Sequence, residues 1–145
     1  PTFFVRHIEV WGDGHYDTYL GPSRANRLDP AGSAVRIGLP FALHVDTPVL
    51  PVTALDSIHA AVNRMSPSGR LMGADQRISP REAIKAYTVY ASLFCMGEHD
   101  RGRIEPGRLA DFVLLSDDLE AIDPLAINRV KVRMTLCGGR IVYQA

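Results

Sequence analysis

The stretch Phe41-Ala42-Leu43-His44-Val45-Asp46-Thr47-Pro48 constrains this chain more than any other. Phe41, Leu43 and Val45 alternate with Ala42, His44 and Asp46, the period of two that belongs to a β-strand. Pro48 has no N–H to give a sheet ladder, so the strand is expected to stop at Asp46. That puts a carboxylate at the C-terminal end of a strand, with His44 one pleat below it on the same face. An unpaired carboxylate is costly to bury, so an acid in that place needs a partner or a task. In parallel α/β architectures the C-terminal strand ends are where chemistry sits.

The flanking segments support an α/β reading. Residues 2–8 (TFFVRHI) are aromatic and β-branched and predict a second strand. Residues 9–23 hold three glycines and a proline and read as a long loop, the kind that is often functional in a compact domain. Asp29-Pro30 opens a short helix with the acid as N-cap, and Gly38 ends it. The resulting crossover is long enough for the two strands to pair in parallel.

Thr53 to Asp56 looks like a capping box, and Leu55, Ile58, Ala61, Val62 and Met65 follow at helical spacing. Residues 66–70 make a turn. Ser79-Pro80-Arg81-Glu82 joins a capping serine, a proline at the first helical position and a glutamate that can reach back. This helix is expected to run to Met96, with Gly97 as the left-handed residue past its end. The pattern then changes to antiparallel β. Glu105-Pro106-Gly107 signals a type II turn, residues 109–115 a strand, and Asp123-Pro124 a helical turn. Residues 130–136 alternate cleanly, and Gly138-Gly139 turns them into a hairpin with residues 140–143.

A chain of 145 residues is about one domain. Lys+Arg and Asp+Glu balance at 16 each, so charge makes no case for nucleic acid or an anionic membrane. No apolar run approaches the roughly 20 residues that cross a bilayer, and no signal peptide is legible. Cys95 and Cys137 have no metal-site spacing and read as two reduced thiols of a cytoplasmic protein, with a disulfide as the other reading. The chain starts at Pro1 without a methionine and goes almost directly into a strand, so it is expected to be part of something longer.

Four stretches, in order along nearly the whole chain, resemble the C-terminal third of metal-dependent amidohydrolases of the branch called amidohydrolase family three. They are FFVRHIEVWGD, LHVDTPV with ALDSIHAAVNR, SPREAIKAYT, and RGRIEPGRLADFVLLS with the closing GGRIVY. The resemblance implies the last β/α units of a (β/α)8 barrel over residues 1–104. The C-terminal antiparallel strands of a small β-sandwich would then occupy residues 105–145. A complete barrel takes about 250 residues, so the barrel here is incomplete. On this mapping residues 2–8 are like the seventh barrel strand and residues 41–46 like the eighth. Asp46 then matches the aspartate that binds a divalent metal, expected to be zinc, and handles the proton of the attacking water. The other metal ligands of such enzymes have no counterpart in the chain.

Each candidate keeps two readings. Asp46 is metal ligand and catalytic base, or a strand-end acid capping the next loop. His44 and His7 contact substrate, or are satisfied interior histidines. His15, with Arg6, Trp11 and Asp13, covers the substrate, or belongs to an ordinary packed loop. His59 and His99 are expected to be structural or solvated, and Asp111 to support the fold. The function expected is the C-terminal segment of a hydrolase acting on amide or related C–N bonds of a small molecule, inactive in isolation. It would associate with an N-terminal half or with copies of itself. The alternative is a non-catalytic oligomerising or ligand-binding module.

Overall fold

A computed structural model describes residues 1–145. Two short parallel strands, β1 (Thr2–Phe3) and β2 (Ala42–Leu43), pair in register Thr2 to Ala42 and Phe3 to Leu43. Three helices lie between them: α1 (Arg6–Gly14), α2 (Gly21–Ala25) and α3 (Ala31–Arg36). After β2 come α4 (Ala54–Asn63), a 3₁₀ turn (Ala74–Gln76), α5 (Pro80–Tyr87) and α6 (Val89–Phe94). Strands β3 (Phe112–Leu115), β4 (Val132–Cys137) and β5 (Arg140–Gln144) form an antiparallel sheet in that order, with the 3₁₀ helix Pro124–Arg129 ahead of β4. The architecture is mixed α/β with a small antiparallel sheet.

The parallel pairing, the helix after Pro80 and the C-terminal hairpin follow the sequence pattern. Ser79 Oγ accepts from Glu82 N at 3.2 Å, the cap its hydroxyl predicts. Gly107 takes φ +90° at the third position of its turn, where a side chain would be strained. One core joins the parts: Val5, Phe41, Leu43, Ile58, Ala61, Ala83 and Ala86 pack with Leu119, Ile127 and Val130 from the C-terminal segment.

Several expectations fail, each for a local reason. The strand predicted over residues 2–8 ends at Phe3, because α1 begins at Arg6 and buries Ile8. The predicted loop over residues 9–23 is helical except at Leu20, continuing through a π-helical turn at His15–Tyr19 closed by Leu20 N to His15 O at 3.0 Å. Gly12 marks close packing: a Cβ there would sit 2.7 Å from Met72 Sδ. Asp29 does not cap α3. Pro30 takes that place, and Asp29, at φ +45°, accepts from Phe4 N instead. Thr53 makes no cap bond either, since its Oγ1 accepts from Arg6 Nη1 at 3.0 Å and ties α4 to α1.

The long helix expected over residues 79–96 breaks at Thr88, whose Oγ1 donates back to Ile84 O at 2.9 Å. At its end Met96, rather than Gly97, is the left-handed residue. Met96 N reaches Leu93 O and Gly97 N reaches Ser92 O, so the Schellman pattern sits one residue early.

Candidate functional site at the ends of the parallel strands

The chain runs out of β1 and β2 in the same direction, so the residues just after Phe3 and Leu43 share one end of the pair. Backbone bonds fix both exits. Ala42 N donates to Pro1 O and His44 N to Phe3 O, each at 3.1 Å. His44 is therefore still held by the ladder. Asp46 is not: it adopts φ +51°, breaks the pleat and is exposed, with its carbonyl accepting from Val49 N at 2.8 Å. The expected buried strand-end acid facing the same way as His44 is thus an exposed acid on a left-handed turn.

Phe4 separates the two histidines that the strands deliver. Its ring lies 4.3 Å from the His7 ring and 5.2 Å from that of His44. His7 stands in the first turn of α1, and one helical face carries it with Trp11 (5.5 Å) and His15 (5.7 Å). His7, His15 and His44 are half-buried. Burial lowers the His7 pKa below 6.5, opposed by the carboxylates of Asp29 and Asp46 and assisted by His15 and His44. The three sequence candidates His7, His15 and His44 and the acid Asp46 therefore do gather in one neighbourhood.

Other candidates have structural work. Arg6 Nε pairs with Glu9 at 2.9 Å. Asp13 accepts from Ser66 Oγ, Ser68 Oγ and Ser68 N at 2.6 to 2.8 Å, clamping α1 to the turn at residues 66–70. Those bonds hold its pKa below the usual carboxylate value. His59 is half-buried 3.8 Å from Glu9, His99 is exposed, and Asp111 Oδ1 accepts from Gly138 N at 2.7 Å to close the hairpin. Cys95 and Cys137 are both free and exposed. No helix is long and apolar enough to cross a membrane.

Sequence reasoning missed Asp29. Its Oδ1 binds Phe4 N at 3.0 Å, while Oδ2 is shut off from solvent with no hydrogen-bond partner. Burial pushes its carboxyl up, against the pull of His7, Arg64 and His44. Only the Asp-Pro dipeptide marked it, and that signal pointed to a cap.

As a metal centre the cluster is insufficient. No three His, Cys, Asp or Glu side chains of this chain come together as a group that could hold an ion, whereas zinc sites take at least three protein ligands. A cavity of about 730 Å³ opens elsewhere, between α4, α5 and β3, walled by Leu55, Ile58, Ile84, Tyr87 and Leu115.

The profile of the amidohydrolase family matches residues 1–143. The chain belongs to this family. YtcJ of Bacillus subtilis (strain 168), which carries an amidohydrolase name, is 36% identical over 128 residues. Those residues cover 86% of this chain and 24% of YtcJ. An amidohydrolase from Thermotoga maritima MSB8 superposes with a TM-score of 0.57 at 22% identity, over 77% of this chain and 24% of that one. An enamidase of the amidohydrolase superfamily gives a TM-score of 0.58 at 19% identity, over 84% of this chain and 31% of its own. The chain thus spans about a quarter or less of the curated relatives it matches, and the two structural likenesses bear on the fold.

Proposed function

We propose that the full-length protein hydrolyses an amide or related C–N bond of a small molecule with metal-activated water, and that these 145 residues supply one wall of its pocket. The observation that carries this reading is the family match over residues 1–143, with Asp46, His7 and His44 gathered where β1 and β2 end. On this reading β1 and β2 are the last two strands of a (β/α)8 barrel, and residues 105–145 belong to a small sandwich.

A divalent metal, zinc in our reading, lowers the pKa of a bound water toward about 7. This chain alone cannot form that centre, so the remaining ligands lie in the rest of the protein. Asp46 is the donor we assign to it: an exposed carboxylate on a tight turn can accept a proton and carry it to a departing amine. His44, held by the ladder, and His7 and His15, on one face of α1, bind and orient the substrate. Two exposed free thiols fit a reducing, cytoplasmic setting.

The deciding experiment measures amide hydrolysis and metal content for the full-length protein and its Asp46→Asn variant. We expect kcat/KM to fall by about 10³-fold or more, as for removal of a group from a catalytic unit, with the melting temperature unchanged. An Asp46→Asn variant of undiminished activity would overturn the assignment. The 145-residue polypeptide should show no turnover, and stoichiometric zinc with hydrolysis would show that the ligand set is complete after all.

A second reading, a non-catalytic oligomerising or ligand-binding module, is favoured by the apolar exposure of Val113, Leu114, Ile141 and Val142 on the antiparallel sheet. A stable homo-oligomer without hydrolytic activity would support it, while solubility only alongside an N-terminal half would favour the enzyme.

A further inference from the structure

The π-helical turn His15–Tyr19 extends α1 and carries His15 beside His7, 5.7 Å between ring centroids. A π turn is rare and often marks a functional site. This one has no buried residue to anchor it, so what holds it must come from outside. His15 does not hold itself: its Nδ1 is sealed from solvent without a hydrogen-bond partner, and its ring meets those of His7 and Tyr19 only edge to face. Tyr19, 74% exposed, is no anchor either.

The turn at residues 66–70 supplies the hold, on both sides of His15. Before it, Asp13 accepts from Ser66 Oγ, Ser68 Oγ and Ser68 N. After it, Arg70 grips the next two residues. Its Nη1 and Nη2 donate to Asp17 Oδ1 and Oδ2 at 3.0 and 3.4 Å, and its guanidinium lies over the Tyr16 ring, 4.1 Å from the centroid. Nη1 also stands 3.9 Å from Asp13 Oδ1, so one guanidinium spans the segment. A planar fork that pairs with a carboxylate and stacks on a ring is what arginine offers and lysine does not. The base is itself fixed, by Ser66 N to Arg70 O and Gly69 N to Ser66 O, each at 2.9 Å.

We infer that Arg70 is a positioning residue for His15: by clamping Tyr16 and Asp17 it holds the π-helical turn and sets where the His15 ring stands against His7. The Arg70 and Asp17 side chains are 34% and 56% exposed, and an ion pair so open to water adds little to global stability. Its effect is therefore on where the segment lies. The inference rests on the reading that His15 faces substrate.

The test is Arg70→Gln in the full-length protein, crossed with His15→Gln. A misplacement of about 1 Å can cost about 10²-fold, so kcat/KM should fall by about that factor in Arg70→Gln, with the melting temperature close to that of the wild type. The double variant should be no worse than His15→Gln alone, because Arg70 acts through that ring. Losses that multiply, or an Arg70→Gln enzyme of full activity, would overturn the inference. Arg70→Lys keeps the charge without the fork and should recover only part of the loss.

Two further measurements need no turnover. With ¹⁵N-labelled histidine, the His15 signals, identified by their loss in His15→Gln, should shift in Arg70→Gln, while those of His44, whose amide is held by Phe3 O, stay. Hydrogen exchange at the Leu20 amide, which closes the turn on His15 O, should quicken. Unmoved His15 signals in a folded variant would mean that the turn holds itself, and the inference fails. Should Arg70→Gln not fold, Asp17→Asn opens the same clamp from its other end and must give the same shifts. A protein without amidase activity would sink the proposed function and leave the His15 signals to decide whether Arg70 sets the ring.

Discussion

Arg64 offers the sharpest stability test, because its role can be worked out bond by bond. It is 0% exposed, the largest side chain sealed in the core, and its guanidinium serves the carbonyls of Met72, Asp29 and Leu28. Burial lowers its pKa to about 10, against the pull of Asp29 and Asp75, so it is charged at neutral pH. Arg64→Met keeps most of the apolar volume and leaves the carbonyls of Met72 and Leu28 without donors, while Asp29 O keeps its bond from Ala31 N at 2.7 Å. At about 1–3 kcal/mol for each bare acceptor, the loss sums to about 2–6 kcal/mol. Removing a buried charge returns part of this, since desolvating an ion costs several kcal/mol. The net expectation is a loss of about 3 kcal/mol, which lies among the larger effects of single substitutions.

Backbone strain cancels in this comparison. Arg64 sits at φ +53°, and methionine or lysine there is strained to the same degree. Arg64→Lys keeps the charge but lacks the planar fork that spans divergent carbonyls, so it should recover less than half of the loss. Denaturant unfolding of the full-length protein gives the total. Hydrogen exchange at Met72, Gly73 and Phe4, whose amides are anchored to Arg64 O, Asn26 Oδ1 and Asp29 Oδ1, localises it. A cost below about 1 kcal/mol for Arg64→Met, or exchange unchanged at those amides, would refute the claim that the guanidinium holds this junction.

Two further outcomes follow from packing and from proton linkage. Gly32→Ala would put a Cβ 2.5 Å from Asp75 O and 2.7 Å from Gln76 Cα, both backbone, so α3 must shift off the 3₁₀ turn and strain the bond from Ser33 N to Gln76 Oε1. We expect a loss of about 1–3 kcal/mol, typical of overpacking, and a melting temperature equal to that of the wild type would contradict the contact. For His59, burial lowers the pKa below 6.5 although Glu9 and Asp56 pull it up. In the pH window just below 6.5 the unfolded chain binds a proton that the folded one refuses, so stability falls as pH drops through that window and is flat above it. His59→Gln should reduce that slope between about pH 7.5 and 5.5, leaving the share that His7 contributes in the same direction. Parallel slopes for the two proteins would assign the effect elsewhere.

What could be read in advance was whatever has a short-range cause. Ser79-Pro80, Gly107 and the Gly138-Gly139 hairpin declare themselves through one side chain or one dihedral, and they stand as expected. The strand around Leu43 was legible by its alternation, yet only Ala42–Leu43 pairs, because its partner β1 is two residues long. Residues 9–23 were misread in part because Gly12 serves helix packing against Met72 and Ser66, a long-range demand that composition reports as a loop. The site was half legible. His7, His15, His44 and Asp46 announced themselves by type and place. Asp29 joined them only because a left-handed turn aimed it at Phe4, and no local pattern distinguishes that from a cap.

The electrostatics of this corner favour a particular use of His7. It is the second residue of α1, where the unpaired amides of a helix N-terminus carry partial positive charge and disfavour an imidazolium. Burial acts in the same sense, and so do His15 and His44; only the two carboxylates oppose them. The sum is a lowered pKa, so at neutral pH the ring is uncharged and works through direction rather than charge, offering one N–H and one lone pair. A neutral imidazole is worth little to a pocket unless something decides which nitrogen bears the proton. Asp46 lies exposed on its turn, whereas Asp29 is held by Phe4 N at Oδ1 and by Arg64 Nη1 at its backbone carbonyl. The two acids that act on His7 thus divide by exposure: Asp46 is open to solvent, while Asp29 has one oxygen bound to Phe4 N and the other sealed from solvent.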